Sequence, residues 1–332
     1  MIVPTPTRNV NSPMSISGST AIRNDDASDL SGEIWVEGGT FVMGSDNHYP
    51  EEAPAHPVKV HGFFMDVAPV TNRRFAEFVK ATGYVTIAEI APRAEDFPGA
   101  PRENLRAGSL VFTPPRRAVT SRDIRQWWRF SFGANWRRPY GPGSHIRDKS
   151  DHPVVHIAFA DALAYADWAG KQLPTEAEWE FAAKGGREGC QYAWGHELQP
   201  DGRFMANTWQ GDFPHRNTAA DGFERTSPVG SFPANGYGFH DLIGNVWEWT
   251  GDYWSAKHPA AAKSPCCIPV NPQGPAAAAL PAAMHKVPQR VLKGGSHLCA
   301  QNYCRRYRPA ARHAQPVDTS TSHIGFRCVR RP

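Results

Sequence analysis

The chain has 332 residues, 40% of them hydrophobic, which suits one large domain or two ordinary ones with a sizeable core. Gly and Pro together make about 18% of it, above the roughly 12% of average usage, so many turns and short elements are expected rather than long helices. A net charge of +4 is too mild to call for nucleic acid, no run of eighteen apolar residues offers a membrane span, and six cysteines are too few for a disulfide scaffold.

Residues 1–31 are polar and rich in Ser, Asn and Asp, and read as a flexible leader. The opening MIVPTPTRNVNSPMSISGST has no apolar core, so a secretory signal is not expected and a cytoplasmic location is. A reducing cytosol disfavours structural disulfides, which makes each cysteine a candidate for another role. The folded domain is expected over 32–332. In IWVEGGTFVMGS, Trp35, Phe41 and Met43 share an alternating pattern split by Gly38-Gly39, which predicts a hairpin.

A helix is predicted over 71–83, with Thr71 as N-cap, Gly83 as stop, and Phe75, Phe78 and Val79 on one apolar face. The segment from about 84 to 150 reads as long and irregular. Further helices are predicted over 159–170 and 174–186, the last with Thr175 and Glu178 as a capping box. From 190 to 257 regular periodicity nearly disappears. Residues 259–288 are Ala/Pro-rich and read as a loose surface insertion. A strand is expected at RVLKGGS from Arg290. With no internal repeat or linker, the fold class is α+β, in one loop-rich domain.

Three constellations carry chemistry. In ANTWQGDFPHRNTAADGFE, Asn207, Asp212 and Asp221 offer oxygens on irregular backbone. That suits a hard cation such as Ca²⁺ or an ordinary Asx-turn loop. In NGYGFHDLIGNVWEWTGDYW, Asp241, Asn245 and Glu248 stand among glycines. Glu248 lies between Trp247 and Trp249, and a buried carboxylate there needs a metal or an arginine. The third is Cys299 and Cys304 after Gly294-Gly295-Ser296. Five residues apart, they diverge by about 140° on a helix and face opposite ways on a strand. Only a bent loop brings them together. No usual zinc spacing surrounds them. Two lone thiolates would suit a soft ion such as Cu(I). Spacing alone leaves unrelated thiols, a redox disulfide and a metal site open.

The phrases GGTFVMGS, LPTEAEWEFAAKGG, YAWG, NGYGFHDLIGNVWEWT, RVLKGGSHLCAQNYCRRYRPAAR and SHIGFRC occur in one order over about residues 33–330. Together they resemble the formylglycine-generating enzyme (sulfatase-modifying factor) family. Relatives without the chemistry share several phrases, and the cysteine pair after GGS separates the enzymes from them. The resemblance implies a loop-rich fold related to the C-type-lectin-like proteins. It implies a monomeric copper-dependent oxidase. Its substrate would be the cysteine of a Cys-x-Pro-x-Arg motif in an unfolded or nascent sulfatase, converted to Cα-formylglycine with O₂ as co-substrate and a thiol reductant.

Residue by residue, Cys299 and Cys304 match the Cu(I) ligands and Ser296 a serine beside them. Two structural Ca²⁺ sites are implied. One matches Asn207, Thr208, Asp221 and Phe223; the other matches Asp241, Gly244, Val246 and Glu248. Secreted members staple this region with disulfides. Here the usual partner of Cys328 is missing, and Cys190 is the candidate substitute; Cys266-Cys267 lie in the insertion. The pattern resembles the bacterial type.

Positive charge crowds the end of the chain: from Arg290 onward only Asp318 opposes nine Lys and Arg. This run reads either as a solvated basic face or as the wall of a peptide groove. Two other functions compete with the oxidase: a non-catalytic lectin-like module that binds peptide or protein, and a metal-free thiol–disulfide relay.

Overall fold

The computed structural model describes residues 30, 32–96, 98–120, 123–260, 267–280 and 287–332. Its strands are short because turn residues interrupt the chain every few positions. In order they are β1 (Glu33–Val36), β2 (Gly39–Met43), β3 (His56–Val60) and β4 (Phe63–Asp66), then α1 (Asn72–Thr82), β5 (Gly108–Phe112) and β6 (Trp128–Phe132). The helices α2 (Phe159–Trp168) and α3 (Glu176–Lys184) follow, then β7 (Gly211–Asp212), β8 (Arg216–Asn217) and β9 (Trp247–Tyr253). The chain ends with β10 (Gln289–Lys293), β11 (Arg312–Pro316), β12 (Ile324–Gly325) and β13 (Val329–Arg330).

Two sheets organise the molecule. One has the order β1-β4-β13, so β4 joins the two ends of the domain. The other has the order β11-β10-β9-β12 and carries the segment with both cysteines between β10 and β11. Strands β2-β3, β5-β6 and β7-β8 form separate two-stranded ribbons. The fold class expected from the sequence, a loop-rich α+β domain, is the one observed.

All three predicted helices form. Thr71 caps α1, with its hydroxyl accepting from Arg74 N, and Gly83 ends it at φ 70°. Phe75, Phe78 and Val79 are buried on one face. In α3 the Thr175 hydroxyl accepts from Glu178 N and the Glu178 carboxylate accepts from Thr175 N. This reciprocal cap fixes the helix start.

Helix α3 is buried from Glu176 to Ala183, which places three glutamates inside. Each has a partner. Glu176 pairs with Arg312 at 2.8 Å, Glu178 with Arg331 at 2.6 Å, and Glu180 with Lys293 at 3.0 Å. Glu180 also accepts from Gly44 N at 2.8 Å. The helix is therefore clamped to β10, to β11 and to the chain end by charge as well as by Trp179, Ala182 and Ala183 in the core.

Several expectations change. The first two strands are not a hairpin: β1 pairs with β4, and β2 with β3. Gly38 and Gly39 carry the chain from one sheet to a separate ribbon, so Trp35 lies half exposed on the far side while Phe41 and Met43 are buried. The segment 84–150 is not wholly irregular, since β5 and β6 form a five-residue antiparallel pair within it. The seven-residue strand β9 lies in the stretch expected to lack regular structure. It is buried on both faces, Trp247 through Thr250 inclusive, so it shows no alternation.

The described part of 259–288 is mostly exposed, and it is tied down. Lys59 N donates to Pro269 O at 2.8 Å, and Asn271 N donates to Lys59 O at 2.7 Å. The predicted leader, apart from Leu30, and Cys266 lie outside the described residues. Among the described residues no helix is long and apolar enough to cross a membrane.

Replacing Lys293 by Met leaves Glu180 buried without a cation. Breaking a buried pair on one side costs about 3–5 kcal/mol. The urea midpoint of Lys293→Met should fall accordingly, and Lys293→Met with Glu180→Gln should recover much of it. An unchanged midpoint in the single variant would refute the clamp.

Candidate functional site

The two cysteines meet because of the backbone just before them. Strand β10 ends at Lys293, and Gly294 and Gly295 follow at φ 92° and 73°. A Cβ on Gly294 would lie 2.5 Å from Leu242 O; one on Gly295 would lie 2.8 Å from Arg306 O and 3.2 Å from Cys299 Sγ. Both conformation and space require glycine here. Ser296 then starts a turn: its carbonyl accepts from Cys299 N at 2.9 Å and its hydroxyl from Leu298 N at 3.2 Å. A second turn closes when Ala300 O accepts from Cys304 N at 2.9 Å. The bent loop demanded by the spacing is thus present, and it brings the sulfurs to 3.3 Å.

That distance is far beyond the roughly 2.05 Å of a disulfide, and both cysteines are free. Their environments differ. Cys299 is buried, and burial pushes its thiol well up, with the bond to Cys304 adding to the shift. Cys304 is held down by the hydrogen bond from Cys299, helped by the Arg306 guanidinium. Arg306 is itself anchored by Glu51 at 2.5 Å and lies over the Tyr49 ring at 4.0 Å. These environments favour charge on Cys304 over charge on Cys299.

The sulfurs line a cavity of about 550 Å³, together with Ser296 and Trp247. One wall is aromatic: Trp127, Trp128, Phe213 and Tyr303, with Phe213 and Tyr303 stacked at 4.3 Å. The polar lining is His313, Gln315, Thr319, Thr321 and His323, with the His323 ring 4.8 Å from that of Trp128. Burial pushes His313 down to about 4, and holds His323 well below its usual value, so both imidazoles are neutral near pH 7. Trp128 reaches the cavity as the first residue of β6, and Trp127, just before it, packs edge-on against Tyr303 at 5.7 Å. The two histidines carried no signal beyond being histidines.

The terminal arginines divide differently from either expectation. Lys293, Arg308, Arg312 and Arg327 are buried, in ion pairs with Glu180, Glu52, Glu176 and Glu248. They form neither a solvated face nor a groove wall. Of the cationic residues from Arg290 onward, Arg306 is the one that lines the cavity.

At the first oxygen-rich loop the structure brings Asn207, Thr208, Asp221 and Phe223 together. Asp221 accepts from Thr208 N at 3.2 Å and from Phe223 N at 3.1 Å. Asn207 donates to Arg225 O at 2.8 Å, yet its Oδ1 is buried with no partner among the described residues. Burial pushes the Asp221 carboxyl up. An orphaned acceptor beside a half-buried carboxylate fits a hard cation.

The second loop is more occupied. Asp241 accepts from Gly230 N at 2.7 Å and from Asn245 Nδ2 at 3.2 Å. Glu248 accepts from Arg327 Nε at 2.8 Å, Arg327 Nη2 at 2.9 Å and Trp179 Nε1 at 2.7 Å. The arginine partner left open by the sequence is therefore present. Burial nevertheless pushes both carboxyls up, with Arg327 opposing it in each. Two carboxylates share one cation, which leaves room in charge, though little in geometry at Glu248. Gly244 and Val246 contribute backbone only, and Gly244 N donates to Gly294 O at 3.0 Å. Among the described residues no three His, Cys, Asp or Glu side chains converge on a metal position, so any cation here relies on carbonyl oxygens.

Cys190 does not bridge Cys328; both are free. Cys328 is buried, its N–H donating to Asp66 at 3.0 Å, whereas Cys190 lies 3.8 Å from His196.

Replacing Gly295 by Ala should push Cys299 and the Arg306 carbonyl apart. Mild oxidation with diamide should then form the Cys299–Cys304 disulfide several-fold more slowly than in the parent protein. An unchanged rate, read by mass spectrometry, would show that the glycine does not set the approach.

The Sulfatase-modifying factor enzyme 1-like domain matches residues 19–332. The formylglycine-generating enzyme of Mycobacterium tuberculosis is 53% identical over 301 residues, covering 90% of this chain and 97% of that protein. The inactive C-alpha-formylglycine-generating enzyme 2 of Bos taurus is 37% identical over 303 residues, covering 89% of this chain and 87% of that protein. Among solved structures, PvdO from Pseudomonas aeruginosa superposes with a TM-score of 0.58 at 22% identity, covering 91% of this chain and 95% of that one, and shows the fold. This chain belongs to the sulfatase-modifying factor enzyme 1-like family.

Proposed function

We propose that the chain activates sulfatases by converting the cysteine of a Cys-x-Pro-x-Arg motif to Cα-formylglycine, using O₂ and a thiol reductant. The observation that carries this reading is the unbonded sulfur pair, 3.3 Å apart, on a cavity large enough for several side chains. Its donor set is soft and low in number, which fits Cu(I) held by Cys299 and Cys304. When bound there, the metal supplies the one-electron and oxygen chemistry that amino-acid side chains lack.

The chain's own residues do the rest. Cys304 is kept as thiolate by the Cys299 hydrogen bond and Arg306, so one ligand needs no deprotonation. Ser296 fixes the turn that aims Cys299. The aromatic wall excludes water from the substrate sulfur, and the neutral His313 and His323 wall offers hydrogen bonds to an extended peptide without repelling its arginine. We assign structural Ca²⁺ to Asn207, Thr208, Asp221 and Phe223. A second is assigned to Asp241 with the carbonyls of Gly244 and Val246, where Glu248 keeps its bond to Arg327 and offers the cation charge more than a free lone pair.

Cys304→Ser should reduce conversion of a Cys-x-Pro-x-Arg peptide to background, read by mass spectrometry. Anaerobic Cu(I) titration should show one tight site in the parent protein and none in either cysteine variant. Turnover equally fast in copper-free protein would replace this reading with the thiol–disulfide relay. Absence of both turnover and tight copper would replace it with a binding module.

Chelation by EGTA should lower the thermal midpoint by a few degrees, because a ligand bound to the native state alone stabilises it by mass action. Asp221→Ala should start lower and respond less to the chelator. An identical response in both proteins would remove calcium from the first loop.

A further inference from the structure

The β5-β6 ribbon presents its faces the wrong way round for a solvated hairpin. Side chains alternate between the faces of a strand, and the apolar set normally points inward. Here one face carries Ser109, Val111 and Ser131, and it is the inward one. Ser109 is buried, with Oγ 2.7 Å from both His156 Nδ1 and Ser320 O. Ser131 sits so close to the backbone at Gly141 that a Cβ there would lie 2.4 Å from its Oγ. Arg129 shares this face and reaches solvent at its edge.

The other face is apolar from end to end. The register sets Phe112 beside Trp128, Leu110 beside Phe130, and Gly108 beside Phe132. Phe112 is buried against Trp209 and Phe213. Next along, Trp128 and Leu110 line the cysteine cavity. Beyond them the stripe leaves the cavity: Phe130 is 51% exposed and packs edge-on against Phe132 at 5.7 Å. The Arg106 guanidinium lies over the Phe132 ring at 4.6 Å; Arg106 is exposed and forms no ion pair among the described residues. The surroundings are strongly basic. Residues 102–138 hold nine arginines against Glu103 and Asp123, although the whole chain is only +4.

We propose that the Phe130–Phe132 face is an exosite for the substrate polypeptide: it takes a segment flanking the reacting cysteine that carries a large apolar side chain and a carboxylate. The inference rests on the function proposed above. Continuity identifies the occupant, since one uninterrupted face runs from the cavity lining at Trp128 and Leu110 out to Phe130. A chain whose cysteine lies in the cavity must pass the rim, and a flank of about five extended residues runs the length of the ribbon. An unfolded chain offers the apolar side chains that a folded surface hides. The unpaired Arg106 selects a carboxylate beside them. A second copy of this chain is disfavoured, because a two-fold contact would set the same arginine-rich surface against itself.

Anaerobic isothermal titration of the copper-loaded protein with two peptides tests this. One is a bare Cys-x-Pro-x-Arg pentapeptide; the other has the same core with about five residues at each end, bearing Leu and Glu. The flanked peptide should bind about tenfold more tightly. Phe130→Ser should remove most of that gain and Arg106→Gln part of it, both leaving affinity for the bare peptide and its aerobic conversion unchanged. Phe130 and Arg106 are exposed, so neither change disturbs the core. Equal affinities for the two peptides, or a full gain in Phe130→Ser, would overturn the exosite while leaving the proposed function standing. A parent dimer that Phe130→Ser dissociates, read by sedimentation, would give the face to a second copy instead. Neither binding nor conversion of either peptide would sink the proposed function itself, and the exosite with it.

Discussion

Asn245 is the junction on which the site depends. Its backbone sits at φ 56°, a left-handed conformation that Asn tolerates better than most residues. Its N–H donates to Asn207 O at 2.9 Å, and its carbonyl accepts from His297 N at 3.0 Å and His297 Nδ1 at 2.8 Å. Its side chain holds Ser227 N at 3.1 Å, Ser227 O at 3.2 Å and Asp241 at 3.2 Å. One buried residue thus fixes the first oxygen-rich loop, the second, and the cysteine loop against the start of β9. A fold with few ladders must satisfy its buried backbone groups through such side chains. The geometry of the loops is then set by hydrogen bonds to a common point rather than by a regular element.

Buried ion pairs supply the second level of order. Glu52, Glu176, Glu180 and Glu248 are nearly or wholly inaccessible, and each meets Arg or Lys from the last forty residues. Such pairs add little net stability, because desolvation offsets most of the attraction. Their effect is positional. A shifted β10 or β11 would leave several charges unpaired at once, so the register of the strands flanking the cysteine loop is sharply selected. The four-stranded sheet can therefore carry a loop of eighteen residues between β10 and β11 and still hold two sulfurs in contact.

What the sequence made legible follows the range of the interactions. Caps are local, so Thr71, Gly83, Thr175 and Glu178 marked their helices within a residue or two. The need for a bent loop at Cys299 and Cys304 was also local, since it follows from a spacing of five. Strand β9 was not legible, because burial on both faces erases the alternation that marks a half-buried strand. Nor was the pairing of β1 with β4 rather than β2, which depends on how the two chain ends meet. The arginines illustrate the limit most clearly. Their crowding is obvious in the sequence, but whether each faces solvent, substrate or a buried glutamate depends on partners 79 to 256 residues away. The same holds for Glu248, whose flanking tryptophans announced a need for a partner without identifying Arg327.

The asymmetry of the sulfur pair has its own physical cause. Cys299 lies directly beneath Gly295, where the close backbone excludes water and leaves only the other thiol as a hydrogen-bond acceptor. Cys304 sits one turn later, half-buried, beside Arg306. Arg306 is neutralised at its far side by Glu51, so its field reaches the nearer sulfur more strongly than it reaches the cavity as a whole. Charge is thereby favoured on one sulfur over the other, at a separation where two thiolates would repel strongly. A soft cation entering the pair meets one ready ligand and need displace only one proton, from Cys299. The double glycine, the turn at Ala300 and the Glu51–Arg306 pair act on different atoms, yet all bear on that single proton.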